Sequence, residues 1–145
     1  MTTAFAASDH GSMPIAGLDP DAAYQPGVCN IGPDEIRRRR RSGHIGLASA
    51  VGLFAILVAV GAPPIARALV GLPAVIAASG YLQAHLRFCA GFGQLGVFNF
   101  GTVGDTEHVV DAEARAKDKA KARQIGLMSF AVGVVVAIVA VAVPL

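Results

Sequence analysis

Cys29, His44, His85 and Cys89 are the side chains of this sequence best suited to binding or reacting. Thiolates and imidazoles ligate Zn or Fe, and four of them would complete a tetrahedral shell. His85 and Cys89 are four apart, so on an uninterrupted helix they share one face. His44 and His85 are alternatively a candidate pair of haem ligands, and Cys89 a candidate for redox or sulfur-relay work. The plainer reading makes the cysteines buried apolar fillers and sets the histidines at headgroup level. The spacings are not those of a zinc finger or a rubredoxin site. Both cysteines map to one membrane boundary on a reducing side, where a structural disulfide is disfavoured.

Other chemistry is scarce. The sequence shows no Ser-His-Asp set, no HExxH and no nucleophile elbow. Residues 88–104, FCAGFGQLGVFNFGTVG, are glycine-rich, but the spacing matches neither a dinucleotide fingerprint nor a phosphate loop. They read as an interfacial loop or a broken helix. A transporter usually keeps a charged group at mid-membrane, and no acidic residue falls in an apolar run. The expectation is a chain that is not an enzyme or channel on its own.

Three apolar runs must position these residues, at roughly 45–66, 68–86 and 125–143. The first and third each offer about 19 residues, close to the roughly 20 that cross a bilayer core. The chain is 145 residues long, 54% apolar and 15% charged, which falls on the membrane side of the usual classes. Of its twelve Lys and Arg, only Arg67 falls in the link between the first two runs. Arg37, Arg38, Arg39, Arg40 and Arg41 precede the first run. Arg87, Arg115, Lys117, Lys119, Lys121 and Arg123 lie between the second and third. The positive-inside rule then predicts a multi-pass membrane protein with a cytoplasmic N-terminus and an outer C-terminus. The five arginines fit an anchor for anionic lipid or an acidic partner. No aromatic or motif context suggests nucleic acid. The first 28 residues have neither a basic n-region nor an apolar h-region, so the first helix is expected to be an anchor, not an exported leader.

The predicted fold is therefore an all-α membrane protein with three transmembrane helices, a hairpin plus a long third helix. Residues 1–28 read as an extended or disordered arm with scattered anchors, among them Met13, Ile15, Leu18, Tyr24 and Val28. Residues 29–96 form the hairpin domain, and 97–145 a loop, a charged stalk and the third span. A short helix from about Pro33 runs into the first span, with Asp34 and Glu35 at its positive end. Gly61, Pro63 and Pro64 stop that span. The second span is the least lipid-like, carrying Pro73, Ser79, Gly80, Gln83 and His85. Its polar groups call for burial against a partner, either another copy or a larger complex. The third helix is expected to start at Asp105 or Thr106 and to run about 57 Å, its first half a stalk supported by Asp111–Arg115 and Glu113–Lys117 pairs.

Asn30, Gly32, Glu35, Arg39 and Gly43, followed by Cys89, Phe92 and Gly96, carry a resemblance. Over about residues 29–96 the chain resembles the small bacterial inner-membrane domain of unknown function that occurs alone or after rhodanese domains. That family has an Asn-x-Gly start, an acidic–Arg segment and a Cys-x-x-Tyr-x-x-x-Gly end. The resemblance implies a helical hairpin. Here the usual Cys-Pro is Cys89-Ala90, the Tyr is Phe92, and no rhodanese domain is present. The long third helix and the N-terminal arm look like additions for attachment to something else.

Three functions remain open from the sequence. The first is a non-catalytic accessory subunit of a larger membrane complex, with respiratory or photosynthetic assemblies as plausible hosts. The second is a metal- or haem-binding redox protein using Cys29, His44, His85 and Cys89. The third is a homo-oligomeric scaffold joined through Gly and Ala faces.

Overall fold

The computed structural model describes residues 24–144. Most of the arm expected over residues 1–28 lies outside them. Helix α1, Pro33–Ala59, is continuous, so the basic segment and the first span are one rod. At about 1.5 Å per residue its 27 residues reach about 40 Å. Pro33 occupies its first turn, where a missing N–H costs nothing, and Asp34 and Glu35 sit at its positive end. The chain reverses at Gly61, whose φ of 65° is left-handed. A 3-10 helix, Pro64–Val70, leads directly into α2, Gly71–His85.

After α2 the path departs from a simple loop. A short helix α3, Ala90–Leu95, precedes strand β1, Val97–Phe98, which pairs antiparallel with β2, Glu107–His108. The all-α expectation thus holds apart from one two-residue strand pair. Helix α4, Ala112–Ala142, begins later than the sequence suggested. Its cap is Asp111, which accepts hydrogen bonds from the Glu113 and Ala114 amides at 3.3 and 3.0 Å. Asp105 and Thr106 are not the cap, because Asp105 is taken up in a turn with Thr102 and Glu107 in the strand pair. The 31 residues of α4 span about 47 Å.

Three helical stretches are long and apolar enough to cross a membrane: Pro33–Ala59, Pro64–His85 and Ala112–Ala142. Helix α2 is the middle of the bundle, packing α1 on one side and α4 on the other. Both contacts depend on backbone approach through small residues. A Cβ on Gly80 would sit 2.4 Å from the Gly43 nitrogen, and a Cβ on Gly71 would sit 2.8 Å from the Gly133 carbonyl oxygen. At the far end Ala50, Val70 and Ala140 form a buried cluster. Buried Arg67 also reaches there and donates to the Val143 carbonyl at 2.9 Å, one of the carbonyls left open at the end of α4. The opposite end holds Arg37–Arg41, Arg87 and the charged start of α4, and is the basic end of the molecule.

The first half of α4 is not a free stalk. Ala114, Asp118 and Ala122 are buried on its inner face. Phe88, Ala122 and Ile125 make a second core, and Phe88 is completely enclosed. Residues 24–32 cross this end as a strap. The Gly32 amide donates to the Asn99 carbonyl at 2.7 Å, and the Asn99 amide to the Asn30 carbonyl at 3.0 Å. The strap, α3, the strand pair and the start of α4 together build a compact cap.

Candidate functional site

Position 87 shapes the basic end. Arg87 has a φ of 51°, unusual for a residue with a side chain, and this turn ends α2. His85 and Cys89 therefore do not share a helical face. His85 is exposed on the last turn of α2, and Cys89 is buried as the N-cap of α3.

Cys89 lies in a network of strap, α1 and α3. The Asn30 side chain acts toward it as a second backbone would. Its Oδ1 accepts from the Cys89 amide at 2.7 Å, and its Nδ2 donates to the Cys89 carbonyl at 3.1 Å. Asn30 is fully buried, so these two bonds meet polar groups that would otherwise be costly. The thiol receives the Arg39 guanidinium at 3.0 Å and the Phe92 amide at 3.4 Å. The guanidinium also lies 5.9 Å over the Phe92 ring and pairs with Glu35 at 3.5 Å. Glu35 is only 1% exposed, and its second ion pair is with Arg38 at 3.5 Å. A buried carboxylate would be strongly unfavourable without such pairing.

Asn30, Glu35, Arg39, Cys89 and Phe92 thus converge on one cluster. Its glycines serve the same packing. A Cβ on Gly32 would meet the Phe100 backbone at 2.9 Å, and Gly96 ends α3 with a φ of 70°. The arrangement fastens the strap and α3 to α1. The groups nearest the thiol are hydrogen-bond donors and an aromatic ring, and among the described residues neither an imidazole nor a second thiol is hydrogen-bonded to it.

The proposed four-ligand set is not assembled. Among the described residues no group of three or more His, Cys, Asp or Glu side chains is placed to share a metal ion. Cys29 directs its thiol to the Ile31 carbonyl at 3.9 Å, and burial pushes that thiol's pKa up. His44 shares a 2.7 Å hydrogen bond with the Tyr81 hydroxyl, their rings edge to face. The physical reason is the break at Arg87, which turns Cys89 inward and leaves His85 outside. Both cysteines are free and buried.

Ser79 and Gln83 of α2 find partners within the chain. Gln83 Nε2 donates to Ser79 Oγ at 2.7 Å, and Gln83 Oε1 accepts from the Ala90 amide at 2.9 Å. Their polarity therefore needs no external partner. Asp118 was read from sequence only as part of a charged helix. It is fully buried and accepts from Tyr24 Oη at 2.8 Å and from the Gly27 amide at 2.7 Å. Tyr24 stacks on Phe98 at 4.7 Å. Burial, then the bond to Asp118, raises the Tyr24 pKa. Its sequence signal was weak, since one acid among alternating Lys and Ala looks like a solvated residue.

Of the arginine run, Arg38 and Arg39 serve Glu35, and Arg37 pairs with Asp34. Arg40 and Arg41 are exposed and form no ion pair or hydrogen bond among the described residues. Toward the middle of the bundle, a wholly apolar groove of about 500 Å³ opens where α1 and α4 both lean on α2 but scarcely meet each other. Ala74, Ala77 and Ala78 of α2 line it between Phe54 of α1 and Val136 of α4. Comparison with protein-family models, curated proteins and solved structures finds no match to this chain.

Proposed function

We propose that this chain is a non-catalytic accessory subunit that stabilises a larger complex of the bacterial plasma membrane, its basic end on the cytoplasmic side. The carrying observation is the apolar groove between α1, α2 and α4. Its lining is rich in alanine, which suits the backbone-close approach of a partner's transmembrane helix. An acyl chain has no need of small residues. The polar interior supports the same reading, because the buried thiol, carboxylate and amide are engaged in holding the cap. Anionic lipids and the exposed arginines would complete the seat.

The test is purification of the tagged full chain from its native membrane in mild detergent, beside Ala78→Leu, which fills the groove. Stoichiometric membrane subunits should accompany the wild type and be lost from the variant. A wild-type chain recovered alone as a monomer would defeat the reading. Recovery as a homo-oligomer, crosslinked through the groove, would transfer the role to a self-assembled scaffold.

A further inference from the structure

A second cavity, of about 280 Å³, lies at the basic end and belongs neither to the Cys89 cluster nor to the apolar groove. It is lined by Cys29, Ile31, Gly32, Pro33, Ile36, Arg37, Arg40 and Arg87. Three guanidinium-bearing residues reach it from two directions. Arg37 and Arg40 are one turn apart on α1, while Arg87 arrives from the left-handed turn after α2. That turn is held against the strap by the Asn30 amide, which donates to the Arg87 carbonyl at 3.2 Å.

Among the described residues the charges in this cavity are unbalanced, and no acidic residue lines it. Asp34 pairs with Arg37, but Arg40 and Arg87 form no side-chain hydrogen bond or ion pair among the described residues. Glu35, the other nearby acid, is committed to Arg38 and Arg39. Cys29 adds no negative charge, because burial pushes its thiol up. Gly32 and Pro33 at the start of α1 form another wall. Ile31 and Ile36 make the remaining wall apolar.

We infer that this cavity is a binding site for a phosphate oxyanion, held by Arg37, Arg40 and Arg87. Guanidinium groups match phosphate in paired hydrogen bonds. The volume is below that of a drug-sized pocket and suits a headgroup-sized ligand. The phosphate comes from an anionic phospholipid headgroup or from a free phosphate in solution. The site does not depend on the accessory-subunit reading.

The test uses the purified full chain in nonionic detergent, titrated separately with phosphatidylglycerol, diacylglycerol and inorganic phosphate. Binding is followed by native mass spectrometry and thermal shift. Arg40→Gln removes one charge, and Arg87→Asn removes another with a residue that tolerates the left-handed backbone. Arg41→Gln makes the same charge change outside the cavity. Phosphatidylglycerol should bind the wild type at one equivalent, with each cavity variant weakened about tenfold and Arg41→Gln within about twofold. Competition by inorganic phosphate assigns the site to phosphate from either source, and binding of phosphatidylglycerol alone assigns it to lipid. Equal losses in Arg41→Gln and the cavity variants would overturn the site in favour of a diffuse basic surface. Equal binding of diacylglycerol, or no binding of either phosphate ligand, would also overturn it. Should Arg87→Asn fail to fold, Arg40→Gln against Arg41→Gln still decides.

Discussion

Replacing Gly80 with alanine adds one methyl group where α1 and α2 cross. Its Cβ would lie 2.4 Å from the Gly43 nitrogen and 2.7 Å from both the Arg39 carbonyl oxygen and the Gly43 Cα. All three are backbone atoms, so no side-chain rotation relieves them. Ordinary contact starts near 3.4 Å, so the helices must part by about 3.4 − 2.4 = 1.0 Å at this point. Overpacking of this kind costs roughly 1–3 kcal/mol, and alanine's better helix propensity returns at most about 1 kcal/mol. The expected net loss is up to about 2 kcal/mol, and the loss relative to an unobstructed glycine-to-alanine change is roughly 1–3 kcal/mol. Gly52→Ala and Gly126→Ala are the controls, since a Cβ at either meets nothing within 4 Å. They should be neutral or stabilising by up to about 1 kcal/mol. Thermal unfolding in one detergent, followed by circular dichroism, compares the three. Because Arg39 donates to the Cys89 thiol, displacing its backbone should also speed maleimide labelling of Cys89 in a Cys29→Ser background. A Gly80→Ala protein as stable as Gly52→Ala, with unchanged labelling, would refute the close crossing.

Other perturbations probe the cap. Asp118→Ala removes the acceptor of Tyr24 and Gly27, and should weaken strap docking by roughly 2–4 kcal/mol. Hydrogen exchange at the Gly27 amide measures it, and unchanged protection would contradict the assigned bonds. Asn30→Ala leaves the buried Cys89 amide without its acceptor and should cost roughly 2–4 kcal/mol in thermal unfolding. A change below about 0.5 kcal/mol would show that the side chain is not holding α3. For Tyr24 the folded pKa lies above the unfolded value near 10. Its contribution is complete below that unfolded value and declines as pH rises through the folded one, because the unfolded chain loses its proton first. Strap protection should therefore fall above about pH 10 in the wild type, and Tyr24→Phe should flatten that fall. A wild-type protein whose strap protection is flat through this range would count against the buried phenol.

Local chemistry made much of the fold legible. Pro33 and the acids after it mark the start of α1, while Gly61, Pro63 and Pro64 mark its reversal. Small size marked the helix contacts only in part, since Gly46, Ala77 and Gly80 are buried where α1 and α2 cross, while Gly52 and Ala55 of α1 are exposed. The stretch before α4 was less readable. Asp105 and Thr106 are residue types that cap helices, but the good helix formers begin only at Ala112, and the pairing of Val97 and Phe98 with His108 and Glu107 claims the chain before it. Cys89 was legible as a special residue, yet its partners Asn30, Arg39 and Phe92 come from separate elements. The four candidate ligands lie apart for a related reason, since helical spacing predicts a shared face only while the helix continues. Arg87 ends it.

What the sequence determined by itself is whatever depends on composition, local spacing and backbone stereochemistry. That includes three apolar spans, the basic end and the proline–glycine reversals. Tertiary structure decided what depends on the meeting of distant residues. It turned Asp118 from a surface charge into the anchor of the strap, and Gln83 from a demand for a partner into an internal bond. It also brought Arg87 beside Arg37 and Arg40 around one cavity. The physical reason is that a polar group's cost or use depends on the atoms opposite it, and 91 residues separate Gly27 from the carboxylate that holds it.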